Sequence, residues 1–326
     1  MEKTRKWRWG VNRWIVLLFI VAGAFAAKAF PPLSPHIQVA PENLSQHPLF
    51  SLPIIGDFYL TNTLVGTFIV FILIMLLAYF VNRSIKKGDM VPKGVSGAVE
   101  AVVEMGYNLA EGTAGKHTKS IFPFFATIVI FVLFANWFEL LPGVDSIGLL
   151  EHSEHGYAVQ MITSGIGTII KGEQAAGGYS VVPFVRVPST DLNFTAALAL
   201  ISVGMTQIIG LRVQGPRYLT KFFNFTTLFS KPLFGAIDLA VGLLETISEF
   251  SKILSFSFRL FGNIFAGSVL LFLVGSMVPI FAQSAVLLFE FFIGLIQAFV
   301  FGMLTLVFMT MATQGHSSEE HAEANE

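Results

Sequence analysis

The sequence predicts an all-α, polytopic membrane protein with about five transmembrane helices after an N-terminal signal or anchor segment. Hydrophobic residues make up 54% of the 326 residues, only 13% are charged, and the mean hydropathy is +0.70. Soluble globular domains carry about twice that share of charge. Several stretches also reach the roughly 20 apolar residues that a helix needs to cross a bilayer. We therefore predict an integral membrane protein.

Two segments precede the predicted membrane domain. Residues 1–30 begin with five basic side chains in the first 13 residues, followed by an apolar run and small residues. This order is typical of a signal peptide or of an uncleaved signal anchor, and the two stay open. Residues 31–61 are rich in Pro and nearly uncharged, so we expect an extended extracytoplasmic segment.

The membrane domain is predicted to extend over residues 62–313. Transmembrane helices are expected at about 62–81, 121–141, 192–211, 232–278 and 281–313, with an amphipathic interfacial helix at about 92–112. The segment 232–278 is about twice as long as a perpendicular span requires, so it must break or tilt steeply. Residues 314–326 form an acidic tail.

Basic residues indicate the orientation of these segments. They cluster in residues 82–119 and 212–231, whereas the alternate loops are poor in Lys and Arg. Because positive loops stay on the cytoplasmic side, both clusters are predicted to be cytoplasmic, and so is the C-terminal tail.

Composition and motifs exclude several kinds of site. The chain has no Cys, and it lacks the spacings of nucleotide-binding, hydrolase and zinc-protease motifs. Its net charge of −1 gives no support for a nucleic-acid partner. Residues 151–155 hold Glu151, His152, Glu154 and His155, but a solvated loop with incidental His is commoner than a metal site. We therefore predict neither a metal nor a cofactor.

Polar residues interrupt the last two predicted helices. At 100° per residue, six positions of segment 232–278 fall within an arc of about 80°. They are Glu245, Glu249, Lys252, Arg259, Asn263 and Gly267. On the final helix, Glu290 and Gln297 share a face. Since an arginine near the bilayer centre costs about 2.5–3.5 kcal/mol on insertion scales, we interpret this stripe as the lining of a hydrated ion path.

These polar residues could also have purely structural roles. Gln297 could only hydrogen-bond a neighbouring helix, Lys252 and the two Glu could form a solvated surface, and Arg259 could belong to a structural ion pair. Alternatively, a secondary transporter or ion channel could use Arg259 to bind an anionic substrate, with the acids coupling protons. Against the transporter, the chain shows no matching pair of broken helices in two halves.

Four segments together resemble subunit a of the F-type ATP synthase membrane sector. They are Asn136–Pro142 (NWFELLP), Pro188–Asn193 (PSTDLN), Ser257–Asn263 (SFRLFGN) and Gln297–Phe301 (QAFVF). The third is similar to the arginine helix of that family and the fourth to its last-helix motif. The likeness extends from about Asp57 to Gln314, and the arginine and glutamine motifs together are highly specific.

This resemblance implies a stator protein whose long last two helices pack against a rotating ring of proteolipid subunits, the c-ring. Each proteolipid subunit is a small helical hairpin that carries a carboxylate. The resemblance also implies b-type peripheral-stalk partners and a place in a bacterial-type cytoplasmic membrane. Two offset half-channels would bring protons to those carboxylates and take them away. Such a subunit supplies the proton path of the ATP synthase rather than the ATP chemistry, and ion choice between proton and sodium is set mainly on the rotor.

The resemblance also assigns roles by position. Arg259 corresponds to the essential arginine, with Asn263 and Gln297 lining the outer half-channel beside it. The other matched positions are Asn136, Glu139, Asp191 and Asn193 on the outer side and Glu245 on the cytoplasmic side. Some members place an acid where Ser268 stands and a histidine where Glu290 stands. The acid therefore lies on the last helix here, and the insert 144–182 is longer than is usual for the family.

Overall fold

The protein is described from a computed structural model. The structure describes residues 9–29, 38–45, 47–53, 56–86, 94–145, 147–153, 156–163, 166–169, 178–222, 232–277 and 281–314. Within these ranges most of the chain is helical, as the sequence predicts. The acidic tail after Gln314 and the first eight residues lie outside the described residues.

Seven α-helices make up most of the described chain. They are α1 (Trp9–Ala29), α2 (Asn62–Lys86), α3 (Val95–Ala114), α4 (Thr118–Trp137), α5 (Leu192–Gln214), α6 (Pro232–Met277) and α7 (Phe281–Thr313). Four 3₁₀ turns, Gly115–His117, Phe138–Leu140, Pro188–Thr190 and Gly215–Lys221, adjoin the ends of α4 and α5. The described residues contain five helical segments long and apolar enough to cross a membrane, and this confirms the polytopic all-α class.

Two helices extend beyond the ends that the sequence predicts. α2 continues to Lys86 and α5 to Gln214, each a few residues past its apolar stretch. The added turns hold Arg83 and Lys86 in α2 and Arg212 in α5. Basic residues in the last turn interact favourably with the helix dipole, so they prolong a helix where hydropathy alone predicts its end.

Helix α3 packs through small residues and leaves its larger apolar residues exposed. Val95, Val102 and Leu109 are exposed, whereas the buried positions are Ser96, Ala110 and Ala114. Small residues let two helix backbones approach closely, and α3 lies against the neighbouring helix α4. The larger apolar side chains therefore remain available to lipid.

The chain divides into two compact units, each of which combines distant segments. The first unit contains residues 1–65, 139–186 and 264–293, and the second contains residues 66–138, 187–263 and 294–326. The core of the second unit joins α3, α4, α5 and α7. Its most buried members are Ala110, Ile121, Phe125, Ile209, Leu306 and Met309. A buried hydrogen bond of 2.7 Å between the Ser202 and Thr305 hydroxyls also links α5 to α7.

The first unit contains all seven described β-strands. They are β1 (Phe50–Leu52), β2 (Gly56–Phe58), β3 (Pro142–Asp145), β4 (Gly148–Ser153), β5 (Val159–Thr163), β6 (Ile166–Ile169) and β7 (Gly178–Pro183). The antiparallel pairs are β1 with β2, β4 with β7, and β5 with β6. The long insert thus forms two-stranded sheets rather than an unstructured loop.

Glycine permits the close backbone approach within this insert. A Cβ atom on Gly178 would collide with the backbone of Gly156, and the reverse also holds. Just after the insert, the side chain of Arg186 connects the chain to the N-terminal segment, because its guanidinium donates to the carbonyls of Gln38 at 2.6 Å and Ala40 at 3.1 Å. The segment before α2 is therefore held by side-chain contacts as well as by β1 and β2.

Candidate functional site

Arg259 lies midway along α6 with an exposed side chain. Its guanidinium makes one long hydrogen bond, 3.4 Å from Nη2 to Oγ of Ser255. Among the described residues, no carboxylate lies within 4.0 Å of it. The charge therefore faces outward from an apolar helix and lacks an ionic partner in the described part of the chain.

The apolar side of α6 explains why Arg259 faces outward. Phe256 and Leu260 are almost fully buried. The Phe256 ring contacts Phe301 and Phe308 of α7, with centroid separations of 5.1 and 5.6 Å. Because these aromatic contacts fix the rotation of α6 against α7, Arg259 is kept off the packed side.

Asn263 and Gln297, the two residues predicted to lie beside Arg259, differ in their exposure. Asn263 is exposed one helical turn after the arginine, and Gln297 on α7 is half-buried. However, the predicted stripe is not one exposed face, because Glu249 and Gly267 are buried while Arg259 and Asn263 are exposed. The regular 100° projection places these residues together, but packing covers some positions and leaves others open.

A second group of site residues comes together in the first unit, and we call it the carboxyl cluster: Glu139, Gly267, Ser268 and Glu290. The carboxyl of Glu139 is hydrogen-bonded to the Ser268 side chain and interacts electrostatically with Glu290. Ser268 and Glu290 are both buried. The Glu290 carboxyl lies directly over Gly267, where a Cβ atom would overlap both of its oxygens. This glycine therefore makes the space that the carboxyl occupies.

The outer positions Asn136 and Asp191 have structural contacts of their own. Asn136 is buried, donates from Nδ2 to the Gly294 carbonyl at 3.0 Å and accepts from the Ser189 hydroxyl at 2.6 Å. Asp191 caps α5, since its carboxylate accepts from the backbone N–H of Asn193 at 2.8 Å. Asn136 of α4 thus connects α7 and the 3₁₀ turn Pro188–Thr190. The side chain of Asn193 remains exposed.

Four charged residues form a network in the second unit, and we call it the inner network: Lys221, Glu245, Glu249 and Lys252. Lys221 Nζ lies 2.6 Å from Glu245 and 3.4 Å from Glu249, and Lys252 Nζ lies 2.8 Å from Glu249. Lys221 comes from the basic loop before α6 and is not among the site residues predicted from the sequence. The only available signal was that this loop is rich in Lys and Arg.

Removing the Lys221 ammonium should destabilise the inner network. Lys221→Met leaves Glu245 without its ion-pair partner, while Glu249 retains Lys252. Because the side chains are only 22% and 32% exposed, we expect a loss of about 1–2 kcal/mol, between the values for surface and buried pairs. Thermal unfolding in detergent measures this loss. Lys119→Met, at an exposed lysine, is the control, and equal effects of both variants would contradict a bridging role.

Asp145 is a titratable group that the sequence pattern did not single out. It ends β3 with a φ of 61°, a conformation that Asp adopts more readily than most residues. Its Oδ1 atom is buried and has no hydrogen-bond partner among the described residues. Burial raises the pKa of Asp145 to about 6, although Arg186 attracts the anion, and Glu42 adds to the increase.

This pKa predicts a dependence of stability on pH. Between about pH 4 and 6 the folded protein keeps the Asp145 proton that the unfolded chain loses, so stability should fall as pH rises. The rise in the Asp145 pKa from 3.8 to about 6 corresponds to a loss of about 3 kcal/mol in the free energy of unfolding, and the loss is complete above pH 6. Asp145→Asn, which tolerates the same φ, should remove this slope in thermal unfolding measured from pH 4 to 7. An unchanged slope would contradict the assignment.

The His and Glu residues of the insert do not assemble in the described structure. Glu151 and His152 are exposed neighbours on β4, and Glu154 and His155 lie outside the described residues. Within the described ranges, no group of three or more His, Asp or Glu residues has the geometry to hold a metal ion.

Comparisons with known proteins agree on one family. The profile of the ATP synthase A chain family matches residues 64–310. ATP synthase subunit a of Syntrophobacter fumaroxidans is 26% identical over 210 residues, covering 64% of this chain and 66% of the relative. That of Trichlorobacter lovleyi is 26% identical over 203 residues, covering 62% and 66%. That of Helicobacter pylori is 27% identical over 222 residues, covering 67% and 75%.

The matched segments span about two thirds of the length of the first two of these relatives. The family match includes most of α2, all of α3 to α6 and nearly all of α7, and it therefore contains Arg259, the carboxyl cluster and the inner network. The chain belongs to the ATP synthase A chain family.

Proposed function

We propose that the protein is the stator subunit a of an F-type ATP synthase in a bacterial-type cytoplasmic membrane. In this role it provides two offset half-channels that carry protons to and from the carboxylates of a rotating proteolipid ring. Family membership supports the stator role. The observation that carries the proposal is the outward-facing Arg259, which has no carboxylate within 4.0 Å among the described residues.

An outward charge on an apolar helix needs an external partner. Arg259 belongs to a helix with the length and hydropathy of a membrane span, where an unpaired guanidinium is costly. Aromatic packing holds it away from α7, so the partner must approach the exposed side of α6. A carboxylate on a neighbouring subunit would compensate this charge, which is what a passing rotor site offers.

The chemistry of guanidinium explains how such a contact could drive transport. A rotor carboxyl that faces lipid stays protonated, because its desolvated anion is unfavourable. Beside a fixed cation the anion is stabilised and the local pKa falls, so the rotor site releases its proton. Since arginine does not deprotonate in proteins, Arg259 cannot relay protons itself and prevents a direct leak between the half-channels.

The carboxyl cluster supplies the outer half-channel in this proposal. Glu139 and Glu290 can each bind a proton. Glu139 is hydrogen-bonded to the Ser268 hydroxyl, which can both donate and accept, and it interacts electrostatically with Glu290. Glu290 has a buried oxygen, Oε1, with no hydrogen-bond partner among the described residues. The family resemblance also assigns Asn136, Asp191 and Asn193 to the outer side, and the hydrogen bonds of Asn136 join α4, α7 and the turn before α5 within the second unit.

The inner network supplies the cytoplasmic half-channel. Glu245 and Glu249 lie on α6, fourteen and ten residues before Arg259. Lys221 and Lys252 form ion pairs with these two carboxylates, so the negative charges on α6 are matched by positive ones. The basic loops next to these helices are consistent with a cytoplasmic position.

The partners proposed for the protein are the c-ring proteolipids, b-type stalk subunits, lipid and protons. A cysteine at position 263 tests the first of them, because the chain has no native Cys. Asn263→Cys should form a disulfide with a cysteine placed beside the rotor carboxylate, whereas Phe71→Cys, on an exposed part of α2, should not. Purification as a solitary oligomer without proteolipid, and no cross-link, would instead favour the transporter.

A further inference from the structure

A cavity of about 450 Å³ lies in the second unit among α5, the 3₁₀ turn Gly215–Lys221 and α6. Its walls are almost entirely apolar, and the main contributors are Leu200, Val203, Ile208, Leu211, Phe250 and Ile253. The volume falls within the roughly 300–1,000 Å³ of known small-molecule sites. Apolar walls of this kind do not suit an ion path, so the cavity differs in character from the inner network beside it.

Two of the residues that line this cavity each have a polar atom without a hydrogen-bond partner among the described residues. Nε2 of Gln207 and Oε2 of Glu249 are buried, and neither has a hydrogen-bond partner among the described residues. A buried donor or acceptor without a partner costs about 1–3 kcal/mol. The cavity therefore combines one unused donor and one unused acceptor with an apolar interior.

Neighbouring side chains hold both polar groups in place. The Tyr218 hydroxyl donates to Oε1 of Gln207 at 2.7 Å, which fixes the amide so that its N–H groups are the free side. Oε1 of Glu249 accepts from Lys252 at 2.8 Å and from Lys221 at 3.4 Å, which leaves Oε2 as the free oxygen. These contacts fix the orientation of both side chains at the wall of the cavity.

The chemistry of the two atoms defines the ligand. Gln207 requires an acceptor and Glu249 requires a donor, and a hydroxyl group is both. The remaining surface requires an apolar body. Leu200, Leu219 and Phe250 border the cavity and are exposed on helices long enough to span the membrane, so such a molecule can enter from the lipid.

We propose that this cavity is a binding site for a membrane-soluble alcohol, that is, a hydrocarbon or lipid with a hydroxyl head. Ordered water needs two to four polar partners, and the apolar walls of the cavity offer none beyond these two atoms. Water would also gain no favourable contact with the apolar walls, whereas the hydrocarbon part of an alcohol would. The site shares Glu249 with the inner network, but the binding of an alcohol can be measured separately from proton transport.

Photolabelling of the whole complex in native vesicles tests the proposal. The probe is dodecan-1-ol with a diazirine on its chain, and the comparison is its methyl ether, which cannot donate to Glu249. Labelled peptides are located by mass spectrometry. We expect labelling of Leu200–Leu211 and Thr246–Ile253, with about tenfold preference for the alcohol, the equivalent of one hydrogen bond. Equal labelling by alcohol and ether would overturn the proposal, and so would no labelling of these peptides.

Two variants make the test specific to the cavity. A Cβ atom on Gly204 would meet nothing within 4 Å, so Gly204→Leu can fill the cavity without moving the backbone, and labelling should be lost. Gly112→Leu on α3 is the matched control, because its Cβ atom also meets nothing within 4 Å, and labelling should be unchanged. Gln207→Met removes the donor at similar volume and should lower alcohol labelling toward the ether level. Labelling that survives both Gly204→Leu and Gln207→Met would contradict the site.

Discussion

Arg259→Ala is expected to abolish ATP-driven proton pumping, with a loss of roughly 100-fold or more, as for other preorganised charges at reaction centres. The substitution removes the outward cation that would deprotonate a passing rotor carboxyl. Pumping is measured as acidification of inverted vesicles after ATP addition, with assembly of the complex verified on the same membranes. ATP hydrolysis by the detached soluble sector should remain, because the proposed role of the chain is the proton path.

Two further variants separate the charge of Arg259 from its surroundings. Arg259→Lys should also fail, since an ammonium within the membrane can lose its proton and lacks the planar donor geometry of guanidinium. Ser255→Ala removes only the hydrogen bond of 3.4 Å and should pump nearly normally. Pumping at the native rate by Arg259→Ala would remove the basis for the proposed function.

Gly267→Ala is expected to impair pumping while leaving the fold intact. The added methyl group overlaps the Glu290 carboxyl, which can swing away because it is the end of a flexible side chain. The stability cost should therefore be small, but the carboxyl leaves its position beside Ser268 and Glu139. Because a misplacement of about 1 Å can lower the rate of a reaction by up to about 100-fold, we expect a loss of roughly 10- to 100-fold in pumping.

The matched control for this effect is Gly112→Ala, which adds the same methyl group to a helix where nothing lies within 4 Å. It should pump normally. Thermal unfolding of both variants should remain close to that of the native protein. If Gly267→Ala pumps normally, the carboxyl cluster does not carry protons in the outer half-channel.

Much of the architecture could be predicted from hydropathy, because membrane helices satisfy their backbone hydrogen bonds internally and leave a long apolar signature. The helical course of α6 and α7 follows from this rule. Arg259 was identifiable for the same reason, since a charge within such a stretch stands out. For α3, hydropathy did not indicate which residues pack, because its small residues, Ala110 and Ala114, are buried while its larger ones face outward.

The remaining features depend on contacts between distant segments. The strands of the insert carry no strong alternation, and they form through pairings such as Leu150 with Val181. Lys221 joins Glu245 across an intervening segment, and no periodicity within one helix reveals that pair. The high pKa of Asp145 follows from burial, which local sequence does not reveal.

The position of residue 259 relative to the lipid tests the central claim most directly. In a chain without native Cys, Arg259→Cys gives a single thiol whose reaction with a charged, membrane-impermeant maleimide can be timed from each side of the membrane. Lys119→Cys, at an exposed position in the first turn of α4, provides the rate for a solvent-accessible site. We predict that position 259 reacts far more slowly than position 119 from both sides, yet forms a disulfide with a cysteine that replaces the rotor carboxylate. Reaction at the rate of position 119 from either side, without that disulfide, would contradict the account.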